Sequence, residues 1–350
     1  MISTNLTEDN KISGRIEWID AMRGFSMIIV VLGHVLHGMG VGGYHSFLSS
    51  LLLTFRMPLF FFVSGYFSYR SIGWWNKTKL CDILKRKVQA QIICTIVFCT
   101  LFQYVMSYRF DDIYGGYWFT IVLFQMYIIY LAVSFWGRAI KRDLTVPVML
   151  LLSVIAIGIM AKKPFSGFIW ILCCGDSLCR YFQFFTVGII AAKYKDVFFA
   201  LLSKNSVITA SILAWTVCMI LWYSTWFQNF SSLCYSLVHD ILVRYAGLIT
   251  VVSVFYHHRD FFSGHSRCAF GAKYIGRRTL DIYMLHFFFL PNIGDMIPWI
   301  GRIDMISLQI IISVIFTVVI LSLCLVISGI LRESRTLSMW LFGMKPSKAS

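Results

Sequence analysis

The first long apolar stretch, RIEWIDAMRGFSMIIVVLGH (residues 15–34), carries an arginine, Arg23, and a histidine, His34, eleven residues apart. At 100° per residue this spacing ends about 20° past a whole number of helical turns, so the two side chains share one face, ~16 Å apart along the axis. Asp20 lies at i−3 from Arg23, and His37 extends the stripe beyond His34. A face of that kind must line a bundle interior or a wet cavity rather than lipid. An arginine offers a permanent fork of donors to a phosphate or an acyl carbonyl. A neutral imidazole takes a proton from a hydroxyl near pH 7. The layout suits an anionic ligand held near one membrane face and joined to proton abstraction deeper in. For Arg23 alone, a plainer reading is an end residue that reaches to the interface or pairs with Asp20.

Two further stretches carry similar residues. FRMPLFFFVSGY (Phe55 to Tyr66) places Arg56 in mid-stretch. Its Pro58 removes a backbone donor and predicts a kink, whose freed groups must be satisfied inside the bundle. Ser64 and Gly65 permit close helix approach. YIGRRTLDIYMLHFFF (from Tyr274) sets Thr279, Tyr283 and His286 at i, i+4 and i+7, one helical face. Asp240 and Arg244 read as an i, i+4 pair with His239 beside them, and Arg180 has Asp176 at i−4. Trp118 reads as an interfacial belt residue.

The elements that position these residues follow from composition. Apolar residues make up 58% of the 350 and charged ones only 13%, about half the charged share of a soluble domain. Mean hydropathy is +0.74. Continuous apolar runs of bilayer-crossing length recur, which excludes an alternating-strand barrel. Ten spans are expected, near 18–38, 46–69, 88–108, 118–136, 144–161, 176–192, 207–227, 236–256, 279–299 and 306–331. With the N-terminus in the cytoplasm, 23 of the 31 Lys and Arg fall in segments on that side, 4 on the other and 4 inside spans. That asymmetry predicts both termini to be cytoplasmic, and it accounts for most of the net charge of +15. Nucleic acid is therefore not an expected partner; a basic cytoplasmic loop holding an anionic ligand is a lesser alternative. The chain divides into a tail at 1–17, a membrane domain at 18–331 and a tail at 332–350. No cleavable signal peptide is expected. The ten cysteines lie mostly in spans as small hydrophobes. A disulfide among Cys173, Cys174 and Cys179 is one alternative. No metal site is expected, since no histidine sits near them at ligand spacing.

The sequence resembles the acyltransferase-3 family of integral membrane O-acyltransferases, closest to its fucose 4-O-acetylase-like and polysaccharide acetyltransferase branch. Four motifs carry the resemblance in family order: WIDAMRGFSMIIVVLGH with its basic-x10-His element, FRMPLFFFVSGY, YWFTIVLFQMY (Tyr117 to Tyr127) and YIGRRTLDIYMLH. Thr120 stands where the family usually has Leu, and Thr279 where it usually has Ser. The resemblance implies a stand-alone all-α acyltransferase of the cytoplasmic (inner) membrane. It implies acetyl-CoA or another acyl-CoA as donor, no tightly bound cofactor, and a sugar hydroxyl of a lipid-linked or surface glycan as acceptor. Its partners would be membrane lipid and the proteins of glycan synthesis. Carried over residue by residue, His34 would be the general base and Arg23 would position the donor or stabilise the thioester carbonyl. Asp20, Arg56, Pro58, Ser64, Gly65, Trp118, Tyr283 and His286 would shape the substrate cavity.

Acyl transfer needs a base at the hydroxyl, a donor for the oxyanion and exclusion of water. No Ser-His-Asp or Cys-His spacing suggests an acyl-enzyme, so direct transfer is expected. Two rivals use the same residues: a proton-coupled transporter or flippase with Asp20, His34, Asp240, Asp281 and His286 as relay, and a non-catalytic scaffold of a glycan-synthesis complex.

Overall fold

A computed structural model describes residues 16–38, 47–70, 76–106, 114, 116–161, 167–223, 241–290 and 306–342. Among them the fold is all helix, with no strand. The helices are α1 (Glu17–Gly38), α2 (Phe47–Ser68), α3 (Lys77–Lys87), α4 (Cys94–Met106), α5 (Trp118–Ala139), α6 (Thr145–Ala161), α7 (Phe168–Leu172) and α8 (Gly175–Lys193). They continue as α9 (Lys195–Leu202), α10 (Asn205–Tyr223), α11 (Val243–His257), α12 (Arg259–Ser263), α13 (Arg267–Arg277), α14 (Thr279–Leu285), α15 (Ile306–Glu333) and α16 (Arg335–Phe342).

Six stretches among the described residues are long and apolar enough to cross a membrane: Glu17–His37, Leu48–Ser68, Thr78–Val105, Trp118–Ala139, Asn205–Trp222 and Ser307–Glu333. Four expected spans differ. α6 and α14 are apolar but shorter, α8 is more polar because it carries Asp176 and Arg180, and α11 covers only part of 236–256. Asp240 and His239, like residues 291–305, lie outside the described residues. The third expected span also starts earlier: helix runs unbroken from Lys77 through Met106, because a π turn at Val88–Ile93 joins α3 to α4.

The central pair is α1 and α2. Met22, Met27, Val31 and Val35 of α1, and Leu59 and Phe61 of α2, are fully or almost fully buried. α10 and α15 instead turn Leu213, Val217 and Ile220, and Ile311, Val318 and Val326, outward. Such faces suit lipid tails, because every backbone group is satisfied within its own helix.

Two glycine crossings fix the centre. A Cβ on Gly24 would sit 1.9 Å from the Ala272 carbonyl oxygen, and one on Gly276 1.8 Å from that of Asp20. α1 and α13 therefore touch backbone to backbone. A Cβ on Gly65 would lie 2.0 Å from the Phe185 oxygen, and one on Gly188 2.0 Å from that of Phe62, so α2 and α8 cross in the same way. Small residues allow this closeness where packing, rather than the hydrophobic effect, must hold helices together. α2 keeps its helical course through Pro58.

Candidate active site

Helix α13 anchors the first turn of α1. Lys273 Nζ reaches Glu17 Oε2 at 2.8 Å and donates to the carbonyls of Ser263 and Gly264. Arg277 Nε lies 3.6 Å from Asp20 Oδ2. Asp20, only 2% exposed, also faces Arg23 Nη1 at 4.0 Å. Arg23 turns its other nitrogen inward, and Nη2 donates to Thr279 Oγ1 at 3.0 Å. The family's usual serine would offer the same oxygen. Arg23 is thus oriented from two sides and still one-third exposed.

The exposure is to a cavity of about 920 Å³. Its cations are Arg23, Arg70, Arg86 and Lys87, against one carboxylate, the already paired Asp20. Farther in, the walls become apolar with Met27, Val30, Met57 and Phe60, and the hydroxyl-bearing Ser64, Thr120, Thr279 and Tyr283 supply the polar lining. A cationic end joined to an apolar interior fits a ligand with an anionic head and a less polar arm.

His34 lies beyond the inner wall, four residues after Val30 and roughly 6 Å farther along the helix axis. Its ring centroid is 5.4 Å from that of His286 and 5.2 Å from that of Phe287. Arg56 closes the other side. Its guanidinium rests against Gly33, where a Cβ would stand 1.9 Å from Nη1. The Arg56 carbonyl accepts from Ser26 Oγ at 3.2 Å, tying α2 to α1 about two turns before His34.

The α-helix of the late motif ends at Leu285, and His286–Phe289 continues as a 3-10 turn. His286 is fully buried. Its Nδ1 lies 3.0 Å from the Ile282 oxygen and 2.8 Å from the Tyr283 oxygen. Two carbonyls require Nδ1 to carry the proton, which leaves Nε2 as an acceptor. Nε2 has no hydrogen-bond partner among the described residues. Tyr283 donates to the Gly116 carbonyl at 2.8 Å and accepts from Phe119 N–H, and Tyr117 donates to the Met284 carbonyl. These bonds latch α5 onto α14. Gly116 permits it, with φ +95° and a missing Cβ that would otherwise press into the Phe287 ring.

The expected site residues therefore separate into three sets. Arg23, Asp20, Ser64 and Tyr283 line the cavity, while His34, Arg56 and His286 cluster beyond its inner end. Pro58, Gly65 and Trp118 are not among the residues lining this cavity. Pro58 is buried, and Gly65 faces the α8 backbone. Trp118, the first residue of α5, stacks on Tyr181, which itself stacks on Phe61. Cys173, Cys174 and Cys179 are free thiols. Sequence reading missed Arg70, Arg86, Lys87 and Gln91 as lining residues. The run Lys85-Arg86-Lys87 read as a topology signal, and only the tertiary structure places Arg86 and Lys87 on the cavity.

Asp281, a carboxylate of the expected relay, is only 1% exposed and locked in place. Arg332 Nε and Nη2 hold its two oxygens at 2.6 and 2.9 Å, and Ser328 Oγ donates to it as well.

The sequence model of a family described as an acyltransferase domain matches residues 16–329. No curated protein and no solved structure matches the chain. The family match takes in both glycine crossings, the cavity and the His34 cluster, and the chain belongs to the acyltransferase-3 family of membrane acyltransferases.

Proposed function

We propose that this acyltransferase moves an acetyl or other short acyl group from acyl-CoA to a sugar hydroxyl of a lipid-linked or surface glycan. It would work in the cytoplasmic membrane through ten spans, between cytoplasmic tails at 1–17 and 332–350, as in the fucose 4-O-acetylase-like branch. The observation that carries the reading is the cavity: four cations at its mouth, an apolar interior, and an inner end one turn short of His34. The phosphates of the donor meet Arg23, Arg70, Arg86 and Lys87, and the arm carries the thioester inward. The glycan hydroxyl approaches His34 from the far side. His34 takes its proton, and the hydroxyl oxygen attacks the thioester carbonyl. The tetrahedral intermediate then expels the CoA thiolate, which recovers the proton from His34. Two candidates existed for the oxyanion donor. Arg23 is ~16 Å along the helix from His34, too far for one transition state, so it positions the donor. Arg56, packed on Gly33 beside His34, supplies the charge where the oxyanion forms.

A transporter relay needs carboxylates that can release and rebind protons. Asp20 and Asp281 are both engaged by arginines, which favours the acyltransferase reading.

The test is transfer of label from acyl-labelled acetyl-CoA to lipid-linked glycans by purified protein. Wild type and the exposed control Lys195→Ala should transfer; a folded His34→Ala should not. Transfer at the wild-type rate by His34→Ala would remove the base assignment. A wild type that transfers nothing and gains no thermal stability from CoA would remove the donor assignment.

A further inference from the structure

The π turn places one residue that nothing so far explains. At Val88–Ile93 the hydrogen-bond ladder slips by one, and Cys94 N–H bonds the Gln89 carbonyl five residues back. Such turns insert an extra residue into a helix and are frequent at functional sites. One face of this turn is tied to α16: Gln89 Nε2 donates to the Met339 carbonyl, and Cys94 Sγ to that of Trp340. The other face presents Lys87, Ala90 and Gln91 to the cavity.

Gln91 is 6% exposed, and its Oε1 is buried with no donor among the described residues. The neighbouring hydroxyls have their protons in use. Thr95 Oγ1 donates to the Gln91 backbone carbonyl, and Thr120 Oγ1 to that of Tyr117. A buried carbonyl without a donor is a standing cost to stability, and Gln91 carries one while lining the cavity. The depth is informative as well. Gln91 lies one turn inward of Lys87 at the cationic mouth, while Val30 and Met57 form the inner wall. A ligand running from the cations toward His34 passes Gln91 along its middle.

We propose that Gln91 recognises a secondary amide in the arm of the acyl donor, its side-chain amide hydrogen-bonding that group. This rests on the acyl-CoA reading and extends it, because the pantetheine arm carries two secondary amides between phosphates and thioester. Gln91 thereby selects thioesters on an amide-bearing arm over other activated acyl groups.

The test uses Gln91→Met, which keeps length and volume but removes both polar atoms, with Gln91→Leu as a second apolar variant. Three donors are compared: acetyl-CoA, the N-acetylcysteamine thioester of acetate, which carries one amide, and S-butyl thioacetate, which carries none. Loss of one neutral hydrogen bond corresponds to about a fivefold to tenfold change. The variant should raise KM for acetyl-CoA by that factor, leave kcat within about twofold, and melt no lower than wild type. Wild type should favour the amide-bearing truncated thioester, and the variant should not. That ratio is unaffected by how much protein folds, so a structural role alone would not move it. An unchanged preference in an active variant overturns the role of Gln91 while leaving the acyl-CoA reading intact. A wild type inactive with acetyl-CoA overturns both.

Discussion

Gly33→Ala separates the chemistry of the His34 cluster from its packing. The added methyl would stand 1.9 Å from Arg56 Nη1, and ordinary van der Waals contact begins at 3.4 Å, so the guanidinium must retreat by about 1.5 Å. Nη1 is the far end of a flexible side chain, so the retreat is inexpensive. Alanine also gains roughly 0.8–1 kcal/mol of helix propensity over glycine, and the two effects nearly cancel in stability. Catalysis has no such compensation. Misplacing a group by about 1 Å costs on the order of 100-fold where geometry sets the rate, so label transfer from acetyl-CoA should fall about 10- to 100-fold in kcat/KM while Tm moves by only a few degrees. Gly276→Ala is the control for a clash that cannot relax. Its Cβ would meet the Asp20 carbonyl oxygen at 1.8 Å and Gly24 N at 3.0 Å, both backbone atoms, and about 3 kcal/mol or more of stability should go. Wild-type kcat/KM in Gly33→Ala would refute the place given to Arg56. A melting loss as large as that of Gly276→Ala would refute the claim that its tip yields.

Two further outcomes test the surrounding architecture. Asp281→Asn leaves the Arg332 guanidinium facing a neutral amide in a site that is 2% exposed on the aspartate side; it should cost about 3 kcal/mol, and the double variant Asp281→Leu with Arg332→Leu should recover much of that in a melting assay. At the end of α8, Lys193 Nζ meets Asp143 Oδ2 at 2.7 Å. Burial alone would raise the Asp143 carboxyl, but the hydrogen bonds from Lys193 and Thr145 outweigh it and hold it below its ordinary 3.8. A depressed carboxyl contributes stability that is present above the unfolded value and lost as pH falls through the folded one. Melting temperature should therefore drop below about pH 4, and Lys193→Met should flatten that acid limb; an unchanged limb would show the pair to be idle.

Much of the site was legible before the fold. The eleven-residue spacing put Arg23 and His34 on one buried face, and the pattern at 279–286 brought Thr279 and Tyr283 to one wall. Arg23 does meet Thr279, and Tyr283 does line the cavity. Both follow from helical periodicity, which local sequence fixes. Gly65 was legible as a residue of close helix approach, but the α8 backbone it meets was not. A small residue suits a crossing with any neighbouring helix, and only the fold decides which. The six apolar helices were plain from composition, whereas α8 and α11 are held by partners rather than by their own hydropathy.

The amino-acid sequence by itself determined an all-helical membrane chain, the helix face carrying Arg23 and His34, and the acyltransferase motifs, because periodicity and transfer into lipid depend on residues within a few turns of each other. Only the tertiary structure decided that Arg56 rather than Arg23 stands beside His34, that Asp281 is locked to Arg332, and that Lys87 and Gln91 line the cavity. Those arrangements are set by backbone contacts at Gly24, Gly276, Gly65 and Gly188 between helices far apart in sequence, and such contacts leave no period in the chain to be read.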